Sequence, residues 1–177
     1  MRLDLLPHPS TPNGPAQAVR VEVERRSAAL SFTYALGGDV DRIRIPAAGP
    51  SERADDLWRH TCFEAFLKVP GEEGYLELNF APSGDWAAYR FDSYRAGRTE
   101  LDIPPPSIGG YHGGDLLVSL VSLEGLPSKC SWRIGLSAVV EDEEGRLSYW
   151  ALAHPPGDPD FHHPDCFALE FPAAKRP

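Results

Sequence analysis

Turn-forming residues break this chain into short pieces. Eighteen prolines and sixteen glycines are spread over 177 residues with no short repeat, and that density of backbone punctuation favours many turns between short strands over long helices. The runs between the turns carry a period of two. Val19, Val21 and Val23 alternate with Arg20, Glu22 and Glu24, and Leu30, Phe32 and Tyr34 repeat the pattern after the polar stretch around Arg25. Such alternation marks half-buried strands, here joined as a hairpin. Residues 42–45 form a third short alternating run closed by Pro46, and residues 52–58 read as a loop or a single helical turn.

Residues 62–69, 75–80 and 86–91 then form a meander, with turns at residues 71–74 and at Pro82 to Gly84. Within it, Leu76, Leu78 and Phe80 fall on one face and Tyr75, Glu77 and Asn79 on the other. Residues 101–114, with three consecutive prolines and two Gly-Gly pairs, read as a loop. Further strands are expected at 116–123, 132–140, 147–153 and 167–171, with an acidic hairpin tip at 141–145. About ten short strands without a 3.6-residue pattern predict an all-β, antiparallel β-sandwich of immunoglobulin-like architecture. Its expected bounds are residues 19–171, behind a proline-rich leader (1–18) and ahead of a short basic tail (172–177). At this length one domain is the default.

A net charge of -9, with no local cluster of Lys or Arg to reverse it, argues against nucleic acid and anionic membrane surfaces as partners. The first sixteen residues carry only the short apolar pair Leu5 and Leu6 before Pro7, well short of a signal-peptide core. The cytoplasm is therefore the expected location. Cys62, Cys130 and Cys166 are odd in number and lack a CxxC pair, so they read as buried reduced thiols.

Two segments concentrate chemically capable residues. Trp58, His60, Cys62 and Phe63 enter one strand, while Asp160, His162, His163, Asp165, Cys166 and Phe167 enter another. If those strands begin at the same end of the sandwich, their imidazoles could converge. His60 or His154 with His162 or His163, completed by Glu64, Asp160 or Asp165, would then make a divalent-metal site. Adjacent His162 and His163 point to opposite faces of an extended chain, so only one of them fits a given site. Histidines bonded to backbone in a proline-rich loop would look the same in sequence.

Glu64, Glu77 and Asn79 form a second cluster on one sheet face, provided their strands are in register. Two acids and an amide can grip sugar hydroxyls or serve as paired carboxylates in glycoside hydrolysis. A solvated outer sheet face would carry the same pattern. Trp58, Trp86, Trp150, Tyr75 and Tyr149 could add stacking surfaces. No nucleophile elbow, phosphate-binding loop, dinucleotide fingerprint or zinc-hydrolase motif is present.

Residues 57–67, with Trp58, Glu64 and Phe66, followed by residues 75–84, with Tyr75, Glu77, Pro82 and Gly84, resemble the bacterial DOMON-like domains, relatives of the family 9 carbohydrate-binding modules. Residues 149–155 and 159–167 look like the closing part of the cytoplasmic branch, so the resemblance spans residues 19–171. It implies a β-sandwich whose pocket takes a sugar in one branch and a haem in another. On the sugar reading, Trp58 and Trp150 clamp the ring while Glu64, Glu77 and Asn79 bond its hydroxyls. On the haem reading a b-type haem would need His60, His154, His162 or His163, because the only methionine is Met1. The leading expectation is thus a non-catalytic domain for a carbohydrate or similarly hydroxylated metabolite. A haem or metal protein comes second and a glycan-active enzyme third. A carbohydrate module with no attached enzyme also leaves room for a partner protein encoded separately.

Overall fold

The computed structural model describes residues 1–11, 14–26, 29–127 and 130–173. The hairpin-turn residues 27 and 28, and most of the expected tail, lie outside them. The chain forms β1 (Arg2–Pro7), β2 (Ala16–Arg26), β3 (Ala29–Gly38), β4 (Cys62–Lys68), β5 (Tyr75–Phe80), β6 (Trp86–Phe91), β7 (Thr99–Glu100), β8 (Ser107–Gly113), β9 (Leu116–Leu123), β10 (Trp132–Glu141), β11 (Leu147–Ala151) and β12 (Leu169–Phe171). All ladders between them are antiparallel. One sheet runs β1-β2-β3-β9-β8 and the other β7-β6-β5-β4-β10-β11, with β12 also on β10. This is the expected all-β sandwich, curled into one continuous sheet by its first strand.

That first strand departs from the surface leader expected of it. Residues 2–5 pair with β2 in the first sheet, while Leu6 and Pro7 pair with β11 in the second. Proline does not prevent this, because Pro7 is the last residue of the strand, where a missing N–H costs the least. Residues 101–114 differ in part from the loop expected of them, since Ser107–Gly113 pairs along the whole of β9 as an edge strand. Its glycines permit close pairing: a Cβ at Gly110 would stand 2.3 Å from the Val118 carbonyl oxygen. The expected strand at 42–45 is instead a 3-10 turn, Val40–Arg42, followed by a single bridge from Ile43 to Asp142. The backbone N–H of Arg44 donates to the Glu141 carbonyl at 2.8 Å, so this segment braces the β10–β11 hairpin rather than extending a sheet.

Alternation sorts the side chains between two cores. Val19, Val21, Val23, Phe32, Tyr34, Leu36, Phe63, Leu67, Leu78, Phe80, Ile134 and Leu136 fill the space between the sheets at no more than 1% exposure. Burying each large side chain there contributes about 1.5–3 kcal/mol. Tyr34 stacks on Phe63 at 4.8 Å and donates its hydroxyl to the Glu64 carbonyl at 2.6 Å, tying the sheets together. A second, aromatic cluster lies on the outer face of the second sheet, with Phe66, Tyr75, Tyr89, Phe91, Phe161 and Phe167. Among the described residues no helix is long and apolar enough to cross a membrane.

Candidate functional site

The register of β4, β5 and β10 assembles the acidic cluster. Glu64 stands opposite Asn79 on β5 and Ser137 on β10, and Glu77 stands opposite Phe66 on β4 and Tyr89 on β6. The expected shared face is therefore present. It is not a solvated one: Glu64 is 3%, Glu77 6% and Asn79 1% exposed. The cover comes from three loops. The loop before β4 supplies Leu57 and Trp58, residues 92–98 supply Arg95 and Arg98, and residues 152–168 supply Phe161 and His162.

Tyr75 holds two of those loops. Its hydroxyl accepts from the Arg95 backbone N–H at 3.2 Å and bonds His162 Nδ1 at 2.7 Å. With the phenol proton directed at Nδ1, the imidazole keeps its own proton on Nε2, which faces Glu77 Oε2 at 3.8 Å. Burial against Phe66, Phe91 and Tyr75, aided by the Arg95 charge, lowers the His162 pKa to about 4. Asp160 clamps Arg95 at 2.7 Å, bonds the Tyr94 hydroxyl and accepts from the His162 backbone. The third loop is tied down by Asp55 through the Tyr89 hydroxyl.

Between these loops and the sheet lies a cavity of about 390 Å³, within the range of small-molecule pockets. Glu64, Glu77, Phe66 and Val139 of the sheet face it, Trp58, Tyr149, Phe161 and Phe91 add rings, and Arg95, Arg98, Pro159 and His162 complete its lining. Trp58 is 44% exposed, leaving ring surface available for stacking. The carboxyls are the unusual feature. Burial first, and then the neighbouring Glu77, push the Glu64 pKa up to about 8, against a 3.1 Å hydrogen bond from Ser137 that lowers it. Burial likewise raises Glu77, opposed by a 2.7 Å bond from Asn79 Nδ2 and by the charges of Arg98 and Arg95. Asn79 does not itself line the cavity; it orients Glu77, and its Oδ1 has no partner among the described residues.

The remaining candidates are placed elsewhere. Trp150 points into the core between the sheets, its Nε1 donating to Ser148 Oγ at 3.2 Å, so the neighbouring Tyr149 takes the cavity position. His60 bonds Glu141 at 2.7 Å in a separate depression. His154 lies behind Phe161, donating to the Leu6 carbonyl at 2.8 Å and packing edge-on against buried His8. His163 Nδ1 accepts from the Asp165 backbone at 3.2 Å.

The two histidine segments meet over the cavity through Trp58 and His162, but their imidazoles do not converge, since His60 turns to Glu141 and His163 to the Asp165 backbone. Among the described residues no group of three or more His, Cys, Asp or Glu is placed to hold a metal ion, and His60, His162, His163 and Asp165 are not gathered. Each of the four imidazoles considered for haem is engaged by a different part of the fold. Two of the cysteines are made less reactive by their surroundings: burial raises the Cys62 thiol and pushes Cys166 up to about 12.

Arg95, Arg98, Phe91 and Phe161 were not foreseen as site residues, and Tyr149 was named only as a possible stacking surface. Tyr149 alone had a usable signal, since alternation puts it and Trp150 on opposite faces. A larger hollow of about 530 Å³ opens beside β8, but prolines, glycines and aliphatic residues dominate its lining and it has no charged side chain.

No protein-family model matches the chain, and no curated protein matches its sequence. Among solved structures, it is similar to a "putative carbohydrate-binding protein" from Bacteroides uniformis ATCC 8492, with a TM-score of 0.70 at 10% identity, over 94% of this chain and 83% of that one. At that identity the likeness establishes the fold alone.

Proposed function

We propose that this domain binds a small saccharide, or a similarly hydroxylated metabolite, in the cavity over the second sheet and performs no chemistry on it. The observation that carries the reading is one cavity with two buried carboxyls on its floor and aromatic rings around them. Carboxyl groups accept and donate hydrogen bonds to hydroxyls, and an exposed indole offers a flat apolar face to a sugar ring. The resemblance to DOMON-like and family 9 carbohydrate-binding modules supports it at Trp58, Glu64 and Glu77, with Tyr149 taking the wall position first assigned to Trp150. The description of the Bacteroides neighbour is in line with it.

A thermal-shift screen over neutral sugars, followed by calorimetry, tests the reading. A sugar at a hundred times its dissociation constant raises stability by about 2.7 kcal/mol, and Trp58→Ala removes the shift while leaving the unliganded melt in place. If no sugar moves the transition, the proposal fails.

A further inference from the structure

Among the described residues the two acids of the cavity floor, unlike buried Glu141 and Asp142, make no salt bridge to Lys or Arg, and Arg95 and Arg98 act on them only from a distance. Among the described residues Glu64 makes no ion pair, and Glu77 faces only His162 at 3.8 Å, an imidazole that burial keeps neutral at ordinary pH. Their hydrogen bonds come from Ser137 and Asn79, both uncharged. Arg95 is engaged by Asp160, and Arg98 lies over the Tyr89 ring at 4.7 Å. A carboxyl pair stripped of water and left without a cation is costly to keep.

The loops that build the remainder of the cavity carry a second cost. Only two non-glycine residues among those described have left-handed backbone, Asp56 at φ 60° and Arg95 at φ 53°. They lie in the two loops that place Trp58 and the arginines. Such a conformation is strained for a residue with a side chain and tends to persist where function requires it.

The walls decide what kind of cation would fit. A hard divalent metal needs six or more oxygen ligands, whereas this floor offers two carboxyls surrounded by rings. Phe66, Phe91, Tyr149, Phe161 and Trp58 suit an organic ammonium, whose charge interacts favourably with aromatic faces.

We infer that the preferred ligand is an amino sugar carrying a free ammonium group, which enters amine-first, pairs with Glu64 and Glu77, and leaves its hydroxyl-bearing ring against Trp58. This rests on the saccharide reading above and specifies its substrate class. The polarity of the cavity sets the orientation, with acids on the sheet floor and arginines on the loop that covers it.

Binding would also move a proton. Glu64 is protonated near neutrality in the free protein. When an ammonium arrives, the carboxyl O–H breaks, its proton goes to the buffer, and the carboxylate pairs with the cation. The ionisable groups acting on Glu64 are Glu77 on β5 and Arg95 from the covering loop, and Glu64 in turn raises Cys62 on its own strand, Tyr34 from the opposite sheet and Tyr149 on β11. Arg98 and Arg95 act on Glu77.

The test compares glucosamine, N-acetylglucosamine, glucose and cyclohexylammonium by calorimetry with the full chain, at a pH near 6 and in buffers of differing ionisation enthalpy. Glucosamine binds at least about tenfold tighter than either neutral sugar, as expected for a charge-assisted pair, and releases a fraction of a proton that the neutral sugars do not. Glu64→Gln abolishes the proton release, and Glu77→Gln brings the affinity ratio close to one, while both variants keep the wild-type fold by circular dichroism. If glucose or N-acetylglucosamine binds as tightly as glucosamine, the ammonium inference is overturned and the saccharide reading stands. If cyclohexylammonium matches glucosamine, the pairing of an ammonium with the acids stands, but the saccharide reading falls and the amino-sugar assignment falls with it. Failure of all four to bind overturns both.

Discussion

On its inner face the second sheet carries Phe63, Ala65, Leu76, Leu78 and Phe80; on its outer face the same strands carry Glu64, Phe66, Tyr75, Glu77 and Asn79. Both faces are buried, but by different means. The inner face meets another sheet, whose aliphatic and aromatic side chains cover it, with the Tyr34 hydroxyl as a polar tie to the Glu64 carbonyl. The outer face is roofed by three loops that leave a cavity, and the roof is held by polar contacts of Tyr75, Tyr89, Asp55 and Asp160. The comparison assigns stability to one face and recognition to the other. Apolar burial is what makes the sandwich stable, whereas buried acids facing a cavity cost stability and are retained where they contact something.

The largest expected effect tests the inner face. Phe63→Ala removes a ring at 0% exposure that stacks on Tyr34, and a loss of about 3–5 kcal/mol should appear in urea melts. Because Phe63 is not in the cavity lining, whatever protein remains folded should bind ligand with unchanged affinity.

Next comes the pH dependence of the outer face. Below the ordinary carboxyl range both the folded and the unfolded chain hold the Glu64 proton. Between about 4.5 and about 8 only the folded chain does, so stability falls as pH rises through that window and then levels off. Each unit corresponds to about 1.4 kcal/mol, giving a loss of a few kcal/mol in all. Thermal melts of the free protein should show the decline, and Glu64→Gln should flatten much of it. A wild-type stability that rose over this range would contradict the burial of this acid.

A smaller effect addresses the roof. Tyr75→Phe keeps the ring stacked on Phe91 at 5.0 Å but deletes the hydroxyl that joins His162 to Arg95. A loss of about 1 kcal/mol per hydrogen bond is expected, together with faster amide exchange in residues 92–98 and no change in the inner core. The smallest change in stability separates two tryptophans. Trp58→Ala at the half-exposed wall should alter the melt by no more than about 0.5 kcal/mol and abolish sugar binding. Trp150→Phe should destabilise by packing and by loss of its bond to Ser148, yet leave affinity intact.

Much of this was legible residue by residue, and some was not. The alternation of Tyr75 to Phe80 specified which side chains share a face, because side-chain direction in a strand has a strict period of two. It could not say whether the Glu77 face met water or a roof, since a buried and a solvated polar face share the same pattern. Trp58 and His60 are two residues apart and were read as one cluster. The Leu57–Arg59 3-10 turn sends Trp58 to the cavity, while His60 goes to Glu141. Arg95 and Arg98 carried no signal at all, because a loop arginine is the commonest kind of exposed residue.

What the amino-acid sequence determined is the class of fold, the meander that brings Glu64, Glu77 and Asn79 together, and the absence of recognised catalytic motifs. Those follow from local periodicity and turn chemistry, which act within a few residues. Tertiary structure decided everything that depends on distant segments meeting. β1 joins the two sheets, β12 meets β10 five residues beyond the start of β4, and three separate loops roof one face. The unusual state of the acids belongs to that second group. A carboxyl is ordinary in any sequence, and the removal of water by remote residues, with Glu77 brought beside it, raises Glu64 to about 8.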